Sequence, residues 1–525
     1  MATLQFKGKS AVWNHHLSVP YHTLEKDEKK SLKGENQDEN LIIEGDNLLA
    51  LKALLPQYQG KVKCIYIDPP YNTGNEGWVY NDNVSSPTMR DWLGKAVGKD
   101  DLTRHDKWLC MMTPRLKLLR EILSDDGAIF VSIDDNEAAH LKVLMDETFG
   151  EDNFVACIVW QKKYAASNDA KGIPAMHDYI FVYQKSSSFD RKLLPRTEKQ
   201  DAAYKNDDGD GRGPWRSDNL LVKTFSESGV FPIKNPKTGA EFLPKKGNSW
   251  RANKETIARW MSEGRIFFGR DGEGAPQLKR YLNEVQQGVV PVTWWTFEEV
   301  GHNDQANKEL QELFGQGRVP FDNPKPTKLI KRFLQITTDN DSIILDGFAG
   351  SGTTAHAVLK LNKEDGGNRK FILVEMESYA NTVTAERVRR AVKNFEFDAG
   401  FTYSTLGPAI DAETLLSGKL PGYKEFAKYV YYLATGQNHP DENKIKESTY
   451  FVGKSDGASI YLVYKQDMEA LKKLAITLDW AQKTQEKDSG KKIVYAPACY
   501  LDDEALEQYG IKFVSIPYNL FEREA

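Results

Sequence analysis

The chain has only four cysteines in 525 residues, Cys64, Cys110, Cys157 and Cys499, and no two of them stand in C-x-x-C spacing. That scarcity argues against a cysteine zinc site or a disulfide framework, leaves no metal site expected, and suits a reducing compartment. No apolar run reaches the roughly 18 residues of a membrane span, and the first residues lack a signal-peptide pattern, so a soluble, cytoplasmic protein is expected. No Gly-x4-Gly-Lys-Ser/Thr loop occurs, so ATP-driven work would need a separate chain. Excess positive charge is missing too: 70 Lys and Arg stand against 75 Asp and Glu, a net charge of −5. Contact with a polyanion must therefore come from a local patch and not from the whole molecule's field.

What is present is concentrated in two short stretches. The run Val62-Lys63-Cys64-Ile65-Tyr66-Ile67 reads as a buried strand that delivers Asp68-Pro69-Pro70-Tyr71 to its carboxyl end, where open α/β sheets keep their chemistry. The two prolines fix φ and stiffen the turn, so the Asp68 carboxylate and Pro69 carbonyl can point one way with the Tyr71 ring beside them. Such a pocket fits a planar base bearing an exocyclic amine. Asp and Pro are also ordinary turn residues, so the tetrapeptide alone is also compatible with a plain strand-to-loop corner.

The second stretch is Asp346-Gly347-Phe348-Ala349-Gly350-Ser351-Gly352-Thr353-Thr354, after the apolar run Ser342–Leu345 and before a helical pattern from Ala355 to Leu361. Strand, Gly-rich turn and helix let a ligand approach the backbone closely at a helix N-terminus. The turn lacks a P-loop lysine, which disfavours triphosphate. The next apolar run, Lys370–Val374, ends in Glu375, an acid placed to take both hydroxyls of a ribose.

Together these stretches resemble the DNA amino-methyltransferases that use S-adenosylmethionine. The order, with DPPY before FAGSG, resembles their β class, and within it the modification subunits of type III restriction-modification systems. The matching stretches are Glu44 to Leu48, Asp68 to Gly74, His177 to Ile180, Gly264 to Ile266, Pro324 to Pro326 and Asp346 to Ala357. The resemblance implies a doubly wound, Rossmann-like α/β domain and catalysis by Asp68, Pro69, Pro70 and Tyr71. It also implies cofactor contacts by Asp46, Asn47, Asn72, Thr73, Lys325, Asp346, Phe348, Ala349, Gly350, Ser351, Gly352, Thr353 and Glu375. Asp46 can equally be the N-cap of the following helix, and the two roles are compatible. His177 and Asp178 resemble a base-pocket motif. A structural histidine would look the same.

Along the chain, residues 1–40 are polar and charge-dense, and little regular structure is expected there. Residues 41–189 alternate strand and helix, with Phe154–Trp160 and Tyr179–Tyr183 as an antiparallel pair closing the sheet. Residues 190–320 break the pattern, and 321–400 resume it, so one sheet is built from two distant halves. Residues 401–525 read as a separate small α/β domain with an amphipathic helix from Met468 to Gln482, suited to a dimer or partner contact.

Between Lys234 and Arg280 there are 11 Lys/Arg against 5 Asp/Glu, interleaved with Phe242, Trp250, Trp260, Phe267 and Phe268. A target-recognition domain is expected in this insert, with Arg251, Lys254 and Arg270 as candidate DNA contacts beside Lys162 and His177 of the first half. Basic faces are often only solvated, and Trp at helical spacing is often core. The expected activity is methyl transfer to adenine N6 of double-stranded DNA, with a homodimer and a nuclease-helicase subunit as partners. Cytosine N4 is the alternative target of the same fold, as is a recognition subunit that recruits the nuclease-helicase. The absence of a Pro-Cys dipeptide disfavours attack on cytosine carbon-5.

Overall fold

The computed structural model describes residues 2–73, 103–165, 172–315, 320–455 and 457–516. The apolar runs become a ten-stranded mixed sheet. Its strand order is His22–Lys26, Thr402–Ala409, Leu41–Glu44, Lys370–Glu375, Ile343–Asp346, Val62–Ile67, Leu123–Ile133, His177–Gln184, Phe154–Gln161 and Trp294–Trp295. From Thr402–Ala409 through Leu123–Ile133 the neighbours run parallel. Parallel strands covered on both faces need continuous apolar sequence, and Lys370–Glu375 is buried along its whole length. His177–Gln184 lies antiparallel to both of its neighbours, as the sequence suggests for the closing pair.

The order interleaves the two sequence-distant halves. Ile343–Asp346 sits directly beside Val62–Ile67, with Asp346 opposite Tyr66. The two motif turns therefore leave adjacent parallel strands at the same carboxyl edge. Around the sheet, Asn47–Tyr58 starts at Asp46, whose side chain accepts from Leu48 N, and Arg104–Ile122 starts with a Thr103/Asp106 capping box. Leu51, Leu54, Trp108, Met112, Leu116 and Leu119 bury their side chains in the same core.

Four expectations about organisation change. Residues 1–40 contain two short helices and the edge strand His22–Lys26, because Val12 and Tyr21 find buried sites despite the surrounding charge. The Thr402–Ala409 strand belongs to the main sheet, and the Tyr423–Thr435 helix shares a core with Tyr21 and Ala53. Tyr21 and Tyr429 stack at 4.3 Å. The segment after residue 401 is thus continuous with the first compact unit, and its four strands from Phe451 to Ser515 form their own sheet within that unit. The Met468–Gln482 helix is broken into Met468–Leu471 and Leu478–Lys487, since Ile476 between them is buried and Thr477 caps the second piece.

The second compact unit is Lys192–Pro291, narrower than 190–320, because Trp294–Trp295 extends the main sheet and Asn303–Phe314 packs in the first unit. Its core is Leu220, Ile233, Trp250, Ile257, Ile266 and Phe268. Trp250 and Phe268 are therefore packing residues. Among the described residues no helix is long and apolar enough to cross a membrane.

Candidate active site

The Asp68 turn is held from several sides. Trp108 Nε1 donates to the Pro70 carbonyl at 2.7 Å, fixing the turn on the long helix that backs it. The Lys325 ammonium pairs with Asp68 Oδ2, while Asp68 Oδ1 is buried with no hydrogen-bond partner. A buried, unpartnered carboxylate oxygen is costly, and a ligand N–H would relieve it. The Lys325 ammonium also stands 5.2 Å from the Tyr71 ring centre, and the Tyr71 hydroxyl donates to Asp178 Oδ2 at 3.4 Å. Lys162 pairs with Asp178 Oδ1. Burial, and then the charges of Asp68 and Asp178, push the Tyr71 phenol well above its ordinary range, so it stays neutral. Burial also raises Asp178 against the opposing pull of Lys325 and Lys162.

The Gly-rich turn lies beside this cluster. Gly350 and Gly352 have φ of +50° and +77°. A Cβ at Gly352 would meet the Thr384 carbonyl at 2.8 Å, and one at Gly350 would meet the Phe321 ring at 2.9 Å. Glycine is required at both positions by conformation and by space. Asp346 accepts from Phe348 N at 3.1 Å and from the Thr354 hydroxyl, so its carboxylate shapes the turn from inside, and burial pushes it up to about 7. Ala349 N donates to the Val374 carbonyl at 3.0 Å. Ser351 and Thr353 hydroxyls both accept from the buried Arg387, whose own burial lowers it to about 10. Thr353 Oγ1 donates to the Lys325 carbonyl at 3.1 Å, so Lys325 ties the Gly-rich turn to Asp68.

Glu375 sits at the tip of the neighbouring strand and is 1% exposed. Its oxygens accept from Gly350 N at 2.7 Å and Glu377 N at 3.0 Å, yet burial still pushes the carboxyl up to about 7. Its proton is thus exchangeable near neutrality.

The remaining residues fall differently. Asp46 is an N-cap and also faces Arg115 at 3.4 Å. Asn47 donates to the Gly347 carbonyl at 3.0 Å and is 1% exposed, so it joins the two halves from beneath the turn. Asn72, fully buried with φ of +57°, donates to the Arg104 carbonyl and to Glu137. Thr73 follows it and is partly buried, and Gly74, the end of the DPPYNTG stretch, lies outside the described residues. His177 begins its strand and packs edge-on against Tyr179 at 4.9 Å. A cleft of about 300 Å³ beside Lys162 is lined by Lys163, Tyr164, Asn303, Asn307 and Asn323.

In the second unit, Lys254 and Arg270 are exposed, whereas Arg251 pairs with Asp218 at 2.8 Å, which Arg280 also approaches. The sequence reading did not single out Phe321, Arg387 or Glu137. The signal for Glu137 was its i,i+3 spacing to His140; Phe321 and Arg387 had none.

The family model described as DNA methylase matches residues 62–386. The StyLTI Mod subunit of a type III restriction-modification enzyme from Salmonella typhimurium is 37% identical over 377 residues, covering 69% of this chain and 56% of that protein. The EcoP15I Mod subunit from Escherichia coli is 32% identical over 461 residues, covering 75% and 69%. The type II methyltransferase M.KpnI from Klebsiella pneumoniae is 33% identical over 371 residues, covering 66% and 83%. The match to the first of these spans little more than half of that relative's length.

Proposed function

The chain belongs to the DNA methylase family, and on that premise we propose that it transfers the methyl group of S-adenosylmethionine to adenine N6 in double-stranded DNA. The observation that carries this reading is Asp68 Oδ1, a buried acceptor without a partner at the edge where both motif turns meet. We read the sheet as a doubly wound, Rossmann-like cofactor domain assembled from two halves, with Lys192–Pro291 as its target-recognition insert.

The residues fit the cofactor. Gly350 and Gly352 hold a tight positive-φ turn at a helix start, and Glu375 offers a buried carboxylate at the next strand tip for ribose hydroxyls. S-adenosylmethionine supplies an electrophilic sulfonium methyl when bound. The amine is a poor nucleophile, because its lone pair is delocalised into the ring. Asp68 Oδ1 and the Pro69 carbonyl accept its two hydrogens and favour rehybridisation as positive charge develops. Lys325 holds the other Asp68 oxygen, which fixes the carboxylate's direction. Tyr71 stays uncharged and stacks on the extruded base, offsetting lost stacking of a few kcal/mol.

The names of the relatives as Mod subunits support a type III-like restriction-modification or phage-defence role, with a restriction subunit and a second copy of this chain as partners. Exposed Lys254 and Arg270 in the insert, and the Lys162 cleft in the catalytic unit, support contacts to phosphates and bases. Incubating the purified chain with radiolabelled S-adenosylmethionine and duplex DNA tests the reading. Label should enter DNA with wild type and not with Asp68→Ala, and incorporation unaffected by that change would refute it.

A further inference from the structure

Behind the DPPY turn, Glu137 is fully buried and lies between two imidazoles that come from different helices. His105 Nδ1 is 2.7 Å from Glu137 Oε1, and His140 Nδ1 is 2.9 Å from Oε2. The three donor atoms lie within 4.8 Å of one another. Both rings are about one-third exposed, so one side of the group opens to solvent. Asn72, the residue after Tyr71, presses its carboxamide on Glu137, and its Oδ1 is buried without a partner.

We propose that His105, Glu137 and His140 bind a divalent transition-metal ion of the zinc class, seated against the Asn72 end of the DPPY turn. Two imidazoles and one carboxylate form a borderline N/O set of the kind that zinc, manganese or iron(II) accept, with solvent completing the shell. Glu137 and His140 stand in the i,i+3 spacing by which metal-binding helical bundles present a carboxylate and an imidazole from one helix, and His105 faces them from the next. Ligand atoms on a tetrahedral ion with bonds of about 2.0–2.2 Å stand roughly 3.3–3.6 Å apart, so each imidazole nitrogen would move slightly off the Glu137 oxygen it now touches, within a group whose donor atoms already lie within 4.8 Å of one another.

Such an ion would replace hydrogen bonds with a cross-link between the Arg104–Ile122 helix and the start of the Ala138–Phe149 helix, at the carboxylate to which the left-handed Asn72 donates. It would hold the exit of the catalytic turn without touching the substrate. The expected absence of a metal site rested on cysteine spacing, which does not address this donor set.

The test is titration of the chelator-treated full chain with zinc and, separately, cobalt(II) chloride, without DNA or S-adenosylmethionine. One equivalent should bind, cobalt should give visible ligand-field bands, and the melting midpoint should rise saturably with zinc. Loss of an outer-shell partner alone weakens metal sites about 10–100-fold, so His105→Ala and His140→Ala should each weaken binding by more than about 100-fold. Absence of saturable binding and of bands in wild type overturns the proposal, and needs no variant. Binding left unchanged by both substitutions also overturns it, as an adventitious ion bound elsewhere.

Discussion

Glu375→Gln should uncouple cofactor binding from pH. Burial lifts the Glu375 carboxyl from its ordinary 4.5 to about 7, a cost of roughly 3 kcal/mol for its ionised form. The folded chain therefore holds this proton more tightly than the unfolded chain does. Its contribution to stability is complete below about 4.5 and is lost as pH rises through about 7. Cofactor binding has the opposite sign, because ribose hydroxyls donate to the carboxylate and favour its ionised form. Affinity for S-adenosylmethionine should climb about tenfold per pH unit up to about 7 and then level, with about nine-tenths of a proton released at pH 6. Calorimetry from pH 5.5 to 8 in buffers of different ionisation enthalpy reads both quantities. Gln at 375 removes the titration and the charge-assisted bonds, worth about 1.5–3 kcal/mol, so at pH 8 binding should weaken about 10–150-fold and the slope should vanish. A flat wild-type profile, or a Gln variant that keeps the slope, would refute the reasoning. Asp346 also titrates near 7, but its oxygens are committed to Phe348 N and Thr354, so it should affect stability and not cofactor affinity.

Gly350→Val places a branched residue at φ of +50° with its Cβ 2.9 Å from Phe321, so cofactor binding should be lost in calorimetry while the melting transition survives. Gly350→Ala should be partly rescued by Phe321→Ala, because the smaller side chain removes the contact; strict additivity of the two changes would contradict this. Lys325→Met leaves Asp68 without its buried counter-charge and should cost about 3–5 kcal/mol of stability or the catalytic geometry itself, read by denaturant unfolding and methyl transfer together. Neutralising Lys254 and Arg270 should flatten the log–log salt dependence of DNA binding by about 0.9 per lost phosphate contact, whereas neutralising Arg251, already paired with Asp218, should change the slope less.

The two motif turns were legible because each follows an apolar run with strand character and carries residues whose backbone restrictions, proline in one and glycine in the other, force a particular corner. Their adjacency was not. Placing Ile343–Asp346 beside Val62–Ile67 is a matter of sheet order, which no local pattern encodes. The same holds for Lys325, whose reach to Asp68 depends on its carbonyl being held by Thr353. Asp46, Asn47 and Asn72 were recognisable as motif residues, whereas the cap, bridge and brace that their side chains also supply were not, because the Gly347 and Arg104 carbonyls that Asn47 and Asn72 reach lie far away in sequence. In the insert, composition revealed the positive balance but could not separate Trp250 and Phe268, which fill the core, from residues that face solvent. The first 40 residues carry too few apolar side chains to make a pattern, although Val12 and Tyr21 are nonetheless buried.

The measurement that tests the central claim most directly is nucleoside mass spectrometry of duplex DNA treated with the purified chain and isotopically labelled S-adenosylmethionine. The expected result is labelled N6-methyldeoxyadenosine, absent with Asp68→Ala. Labelled N4-methyldeoxycytidine, or no labelled nucleoside from a chain that binds the cofactor, would contradict it.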